Sequence, residues 1–292
     1  PGHEPPRLHT SLDKPRPPRQ CPHPMRIALT LALLLTAAPA LAARGSGEKL
    51  HAYVIGRYAL MDREVSLAAR LMEEARAADP GAATVARRSW ELAIAAGDGQ
   101  RAFQLARQLG AAGNNDAEMT ITRLADAVVR KDWALAATLR GQLGSQGWPI
   151  VAGPIIDAWI MATRGDAPKA LVALDPQRAQ GFMRAYFAEQ RAHMLAGLGR
   201  WDEAAAAYRQ ARSGGGPALS VLRQGQADAL AMAGRRDEAL AVLFPGDRPT
   251  AVARQRLEAG KRLGPVAPDA RTAIAWMFLR LSGDLAREKA DA

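Results

Sequence analysis

Leu195-Ala-Gly-Leu-Gly-Arg-Trp-Asp-Glu-Ala204 and its copy Leu230-Ala-Met-Ala-Gly-Arg-Arg-Asp-Glu-Ala239 share one pattern: an apolar helix end, a glycine, a short polar turn and an acidic start to a second helix. Glycine suits the end of the first helix because it enters the left-handed region without a Cβ penalty. Acidic residues suit the next helix start because they face the positive end of its dipole. Each segment therefore predicts two helices joined by a tight turn.

The same pattern returns along the chain at a spacing of 34 or 35 residues. Three columns keep this period: the alanines Ala68, Ala102, Ala136, Ala170, Ala204 and Ala239; the turn residues Arg63, Gly97, Lys131, Gly165, Gly199 and Gly234; and the polar residues Glu64, Asp98, Asp132, Asp166, Arg200 and Arg235. Such self-similarity is typical of stacked helical hairpins. The alternative is a non-repetitive Ala-rich helical bundle, which does not predict three columns in phase.

These columns resemble the tetratricopeptide repeat (TPR) family. The fullest match is formed by Ala192, Leu195, Gly199, Trp201, Ala204, Tyr208 and Ala211. The resemblance covers about residues 50–246 and implies an all-α fold, a right-handed α-solenoid of about six helix-turn-helix repeats. We expect a closing helical pair over residues 247–292. The chain departs from the family pattern at Asp175-Pro176, which should shorten a second helix, and at Arg140, which replaces a large apolar residue.

The N-terminal region has the pattern of an export signal. Met25-Arg26 precedes the apolar run Ile27–Leu35, and small residues follow up to Ala42. This order is typical of a secretory signal peptide, and the apolar run is shorter than the ~20 residues of a membrane span. We expect residues 25–42 to be cleaved near Ala42 after export to the periplasm, with no transmembrane anchor; an uncleaved anchor is the alternative. Residues 1–24 are expected to be a disordered leader or an upstream extension of the true start.

Residue types give no pattern of catalytic or cofactor chemistry. The single cysteine, Cys21, precedes the predicted signal peptide, so the exported part would hold no disulfide or thiol nucleophile. His51 and His193 accompany neither a carboxylate pair nor a serine in a catalytic pattern. Gly97-Asp98 is interpreted as a turn, and Ser213–Pro217 as a loop between repeats rather than a phosphate cradle. The sequence therefore predicts a non-catalytic protein with no cofactor and no metal.

The charge balance is basic, with 39 Lys and Arg against 29 Asp and Glu and a net charge of +10. A basic chain invites a nucleic-acid partner, but arginine is spread over the repeats without interleaved aromatics, and an exported protein meets little nucleic acid. We therefore predict no nucleic-acid partner. Contact with acidic wall polymers is the more plausible effect of this charge.

The TPR resemblance places the first helix of each repeat on a concave groove. The residues it puts there are Tyr53, Arg57, Leu60, Arg87, Glu91, Ile94, Ile121, Ala125, Val128, Ile155, Trp159, Ala162, Tyr186, Glu189, His193, Gln224 and Asp228. The predicted partner-binding residues are Ile121, Ala125, Ile155, Trp159, Tyr186, Glu189 and His193. Trp159 and Tyr186 are the expected anchors, because exposed aromatics often carry binding energy. For Trp159 a core position between helices is the alternative, and His193 is interpreted as a satisfied groove or core histidine.

The stretch Ile274–Leu279 is very apolar for the end of a solenoid. Two alternatives remain for it: packing into the last groove, or contact with a second copy of the chain to form a homo-oligomer. The resulting hypothesis is a non-catalytic periplasmic scaffold that binds a protein or peptide of the cell envelope through its concave groove. The alternative hypothesis is an assembly or structural factor that contacts the cell wall or its polysaccharide through a basic surface.

Overall fold

The computed structural model describes residue 47 and residues 50–144, 147–213, 219–243 and 248–290. The predicted leader and signal peptide, with Cys21, lie outside these residues, as do Gly214–Pro217 of the predicted loop between repeats. The chain divides into two compact units, Pro1–Ala96 and Gly97–Ala292, and each is described by itself.

The described residues form helices and turns without a strand, which confirms the all-α prediction. The N-terminal unit contains α1 (50–61), α2 (Val65–Ala78) and α3 (Ala83–Ala95). The C-terminal unit contains α4 (Gly99–Ala111), α5 (Ala117–Val129), α6 (Trp133–Gln142), α7 (Pro149–Thr163), α8 (Ala167–Ala173), α9 (Met183–Gly197), α10 (Trp201–Ser213), α11 (Leu219–Met232), α12 (Arg236–Val242), α13 (Arg248–Glu258) and α14 (Ala270–Ala290).

The turn column has one backbone conformation at all six repeat positions. The φ angles are positive: 64° at Arg63, 74° at Gly97, 60° at Lys131, 92° at Gly165, 73° at Gly199 and 81° at Gly234. This left-handed step ends one helix and reverses the chain into the next. The conformation therefore belongs to the repeat itself, since Arg63 and Lys131 adopt it without being glycine.

The polar column caps the second helix of the middle repeats. The Asp98, Asp132 and Asp166 carboxylates accept hydrogen bonds from backbone N–H groups three residues further on, at 3.0, 3.1 and 3.4 Å. Each cap satisfies a donor that has no partner within the helix. The structure confirms the interpretation of Gly97-Asp98 as turn chemistry.

The alanine column is buried in every repeat. Its six members are between 0 and 2% exposed: Ala68, Ala102, Ala136, Ala170, Ala204 and Ala239. A side chain with only a Cβ leaves room for the neighbouring helix. The 34-residue period therefore marks six buried small side chains, as the sequence predicts.

Enlarging one alanine of this column should destabilise the fold. Ala204 is fully buried in α10, so Ala204→Trp must displace a neighbouring helix, and we expect a loss of at least about 1–3 kcal/mol in the free energy of unfolding. Ala206, two residues along the same helix, is exposed, and Ala206→Trp should stay within about 0.5 kcal/mol. Chemical denaturation followed by circular dichroism measures both. Equal losses at the two positions would contradict the repeat register.

The N-terminal unit has its own small core. Ala59, Ala68, Met72 and Leu92 form it, drawn from all three helices. The Ser89 hydroxyl of α3 donates a hydrogen bond of 3.1 Å to the Met72 carbonyl of α2. This unit is therefore held by packing and by one buried polar contact between helices.

The C-terminal unit shows the departure predicted at Asp175-Pro176. Helix α8 has only seven residues, and a 3-10 turn at Pro176–Arg178 follows it. The Asp175 carboxylate accepts a hydrogen bond of 3.0 Å from the Gln177 backbone N–H. Proline cannot donate to the helix ladder, so the chain leaves the helical path here.

The two C-terminal helices pack on different parts of the C-terminal unit. Helix α13 contacts α11 and α12, whereas α14 reaches back to α7 and α9. The α7 and α9 helices are first helices of the fourth and fifth repeats. Helix α14 therefore covers the face that the TPR resemblance assigns to the concave groove.

Candidate functional site

The N-terminal unit leaves its predicted groove residues at least partly accessible. They are Tyr53, Arg57, Leu60, Arg87, Glu91 and Ile94. Ile94 is 49% exposed, and Glu91 pairs with Arg88 at 2.6 Å. These helices therefore present both polar and apolar groups that are at least partly accessible.

The C-terminal unit buries five of the seven predicted partner-binding residues. Ile155, Trp159, Tyr186, Glu189 and His193 are at most 5% exposed, while Ile121 and Ala125 on α5 are half-buried. The expectation that Trp159 and Tyr186 stand exposed as anchors is therefore wrong, because Trp159 packs in the main core and Tyr186 is buried against α14. A role of these residues in partner binding stays a prediction.

Trp159 belongs to the main hydrophobic core, the second of the two alternatives raised by the sequence. Its indole Nε1–H on α7 donates a hydrogen bond of 2.9 Å to the Gln190 Oε1 on α9. A buried indole needs such a partner, since an unmade hydrogen bond is costly in the core. The pair fixes the packing of two successive first helices.

Tyr186 contacts α14 through its ring and its hydroxyl. The hydroxyl donates a hydrogen bond of 2.5 Å to the Asp284 Oδ2, and the Arg280 guanidinium lies 4.3 Å from the ring centroid. Burial, followed by the hydrogen bond to Asp284, raises the pKa of the Tyr186 hydroxyl well above its usual value. The phenol stays protonated at neutral pH and acts as a donor to α14.

Glu189 is the buried charge that holds α14. Its carboxylate pairs with the Arg280 guanidinium, and the His193 Nε2 lies 3.6 Å from its other oxygen. Burial alone would raise the pKa of Glu189, but the nearby His193 and Arg280 side chains outweigh it and lower that pKa. An ionised carboxylate is thereby kept inside the unit because it is paired.

His193 connects this ion pair to the next helix. Its Nδ1 lies 2.8 Å from the Tyr208 hydroxyl on α10, and both side chains are fully buried. The Tyr208 ring also packs against Gly225 of α11. A Cβ at Gly225 would lie only 2.5 Å from the Tyr208 Cζ. Glycine at this position lets α11 pack directly on the tyrosine.

An apolar face of α14 completes the contact with the groove. Its buried residues are Ala270, Ala273, Ile274, Met277 and Leu281, spaced for one side of a helix. At one edge the Trp148 and Phe278 rings lie 5.9 Å apart. The structure packs Ile274–Leu279 within the chain, against α7 and α9 of the fourth and fifth repeats rather than in the last groove, and contact with a second copy stays a prediction.

The last predicted groove residues contact the segment before α14. The Asp228 carboxylate on α11 is buried and accepts a hydrogen bond of 2.8 Å from the Gly264 backbone N–H. Burial raises the pKa of Asp228, against the opposing effects of Gly264 and Arg262. Gln224 remains half-buried. The covered face therefore extends from α7 to α11.

The sequence alone missed Arg280 and Asp284 as groove contacts. Their spacing places them one helical turn apart, next to an apolar stretch, which is the available signal. The partner Glu189 lies 91 residues earlier in the chain. A period of 34 residues predicts contacts between neighbouring repeats, not this one.

The polar residues of the groove lie inside the C-terminal unit. Glu189, His193 and Tyr208 form a connected set, but all three are buried beneath other helices. Across the part of the chain that the structure describes, no group of three or more His, Cys, Asp or Glu side chains could hold a metal ion. The described helices also include none long and apolar enough to span a bilayer.

Comparisons with known proteins identify the fold. No protein-family model matches the sequence, and no curated protein matches it either. The structure is similar to a crystal structure of a tetratricopeptide repeat protein from Parabacteroides merdae, with a TM-score of 0.53 and 12% identity over 81% of this chain and 93% of that one. A second solved structure, PilF of Pseudomonas aeruginosa, aligns with a TM-score of 0.41 and 16% identity over 74% of this chain and 99% of that one. The chain therefore has a TPR-like fold.

Proposed function

We propose that this chain is a non-catalytic, periplasmic interaction scaffold that binds a protein or peptide of the cell envelope. A TPR-like fold is suited to protein partners, because stacked helix pairs present long continuous surfaces. The periplasmic location rests on the signal-peptide pattern of residues 25–42 alone. It requires that protein isolated from its host begin at Ala43, which mass spectrometry of the intact chain measures.

The packing of α14 is the observation that supports a groove for peptides. Helix α14 lies on two first helices with an apolar face, and Glu189 and Tyr186 hold its polar groups. Amphipathic helices commonly dock into grooves in this way. The first-helix face of this unit thus has the chemistry to hold a helical segment, and α14 is the segment that it holds in this chain.

Helix α5 carries the part of the predicted groove that precedes the helices on which α14 mainly packs. Helix α14 packs against α7 and α9, while Ile121 and Ala125 on α5 remain half-buried. An apolar patch beside an occupied groove can extend the contact surface for a partner. We place the partner at this α5 face, where it also meets the edge of the covered groove.

A photo-crosslinking amino acid at Ile121 or Ala125 tests this proposal in the envelope of the host. We expect each position to give a discrete adduct with one partner. Thr138 is the matched control, because it is exposed on α6, the second helix of the same repeat. Adducts at the two α5 positions and none at Thr138 support the groove. Equal labelling at all three positions, or no adduct at α5, would reject it.

A further inference from the structure

A cleft rich in arginine opens between α10, α11 and α12. Its volume is ≈ 610 Å³, and its polar lining comes from Arg209, Arg212, Arg223, Gln226, Arg235 and Glu238. The side chains of Ala205, Leu230, Ala241 and Val242 supply an apolar lining. The cleft is lined by the second helices of two successive repeats, α10 and α12, and by the first helix α11 between them.

The charge of this cleft is unbalanced. Four guanidinium groups line it against one carboxylate, that of Glu238. The Arg235 guanidinium forms an ion pair with the Glu238 carboxylate at 2.7 Å. It forms a second ion pair with the Asp202 carboxylate at 3.3 Å. Among the described residues, Arg209, Arg212 and Arg223 form no ion pair. Within the described part of the chain, three guanidinium groups of the cleft therefore lack an ion-pair partner, although the charge of Arg209 acts on Glu238.

Arg212 is the arginine of this cleft that has a buried nitrogen without a hydrogen-bond acceptor among the described residues. Its guanidinium donates one hydrogen bond to the Gln226 amide oxygen, but its Nε is buried without an acceptor in the part of the chain that the structure describes. Burial, and then the charge of Arg223, lowers the pKa of Arg212. A buried donor without an acceptor costs free energy, which a bound anion would recover.

Guanidinium groups in this arrangement select a particular ligand chemistry. An arginine fork matches a carboxylate with two parallel hydrogen bonds, and a cleft lined by one sign of charge concentrates ligands of the other sign. The aliphatic side chains between the arginines suit the apolar parts of a peptide. No aromatic side chain lines the cleft to stack on nucleobases.

We propose that the arginine cleft binds an acidic segment of a protein partner, with Arg212 and Arg223 holding its carboxylates. Gln226 presents its amide beside them, where a peptide backbone can form a hydrogen bond. Glu238 fixes Arg235 at the rim and disfavours a densely charged polyphosphate. The site differs from the groove proposed above, so either can fail without the other.

The test uses the full chain and a fluorescent peptide of alternating Glu and Leu, with fluorescence anisotropy as the readout. The Arg212→Gln/Arg223→Gln variant should bind this peptide more than about tenfold more weakly, the loss expected for charge-assisted hydrogen bonds. The control Arg178→Gln/Arg184→Gln removes the same charge from exposed positions outside the cleft and should change the affinity by less than about twofold. Because Arg212 is partly buried, Arg209→Gln/Arg223→Gln is a second cleft variant that leaves it in place. It should also weaken binding.

Three results would overturn the proposal. One is equal weakening by the cleft and control variants, which would indicate attraction to overall charge. Another is unchanged affinity when Gln replaces Glu in the peptide. The third is tighter binding of phosphatidylglycerol vesicles or double-stranded DNA than of the peptide, with loss in the same cleft variants. Added salt should weaken the wild-type complex, since exposed charges are screened.

Discussion

Replacing Trp159 with alanine is expected to lower the free energy of unfolding by about 3–5 kcal/mol. The indole is 5% exposed in the main core, and its removal leaves a cavity between α7 and its neighbours. The Gln190 amide oxygen also loses its 2.9 Å hydrogen bond, which adds to the loss because that amide is fully buried. Thermal unfolding followed by circular dichroism measures the effect.

Trp201→Ala is the matched control for this change. Trp201 is half-buried at the start of α10, so its truncation removes less buried area and should cost clearly less. If the Trp159→Ala protein melts like the wild type yet loses its envelope partner, the result would support a partner-binding role for Trp159 and contradict its assignment to the core. A large drop in melting temperature establishes it as a core residue.

The repeat geometry follows from the sequence because it is local. Each repeat contains a turn residue with positive φ and a buried alanine, and the middle repeats add a capping aspartate. These features act locally and recur at a fixed spacing. Asp132 caps α6 at the position that the column predicts. Lys131 holds the left-handed conformation without glycine, because the helices on either side determine the turn.

The groove could not be predicted in the same way because it depends on distant contacts. The concave position of Trp159 and Tyr186 followed from family geometry, which says nothing of a helix nearly a hundred residues later in the chain. The sequence showed that Ile274–Leu279 needed a covered apolar face, but it left open whether this chain or a second copy covered it. Ionic contacts such as that of Arg280 with Glu189 join α14 to a first helix of its own chain.

The arginine cleft could not be predicted from the sequence either, because it also depends on contacts between separate helices. Arginine is frequent in every repeat, so the composition gives no sign of clustering. Arg209 and Arg212 share one side of α10, but Arg223 and Arg235 join them only when α11 and α12 pack beside that helix. Clustering in space therefore arises from the repeat stacking rather than from any run of basic residues.

Replacing Arg280 with methionine is expected to destabilise the C-terminal unit by about 3–5 kcal/mol, because it leaves a buried carboxylate without its main cationic partner. Glu189 is 3% exposed, and the His193 Nε2 that remains near it lies 3.6 Å from its other carboxylate oxygen. The loss should be concentrated in α14, so amide hydrogen exchange in this helix should accelerate. Arg287→Met is the control, because Arg287 is exposed on the same helix, and its loss should stay within about 0.5 kcal/mol.

The stability difference between the wild type and the Arg280→Met protein should depend on pH in a defined direction. In the wild type the folded-state pKa of Glu189 is lowered, so its stabilising effect is present above the ordinary carboxyl pKa and is lost as the pH falls through the lowered value. Removal of Arg280 raises the pKa of Glu189 relative to the wild type, so the difference between the two proteins should be largest near neutral pH and shrink on acidification. The double variant Glu189→Gln/Arg280→Met removes both charges and should recover most of the loss, since a neutral buried pair carries no desolvated charge. A double variant no more stable than Arg280→Met would show that α14 is held by its apolar face alone, and that the ion pair does not fix it in the groove.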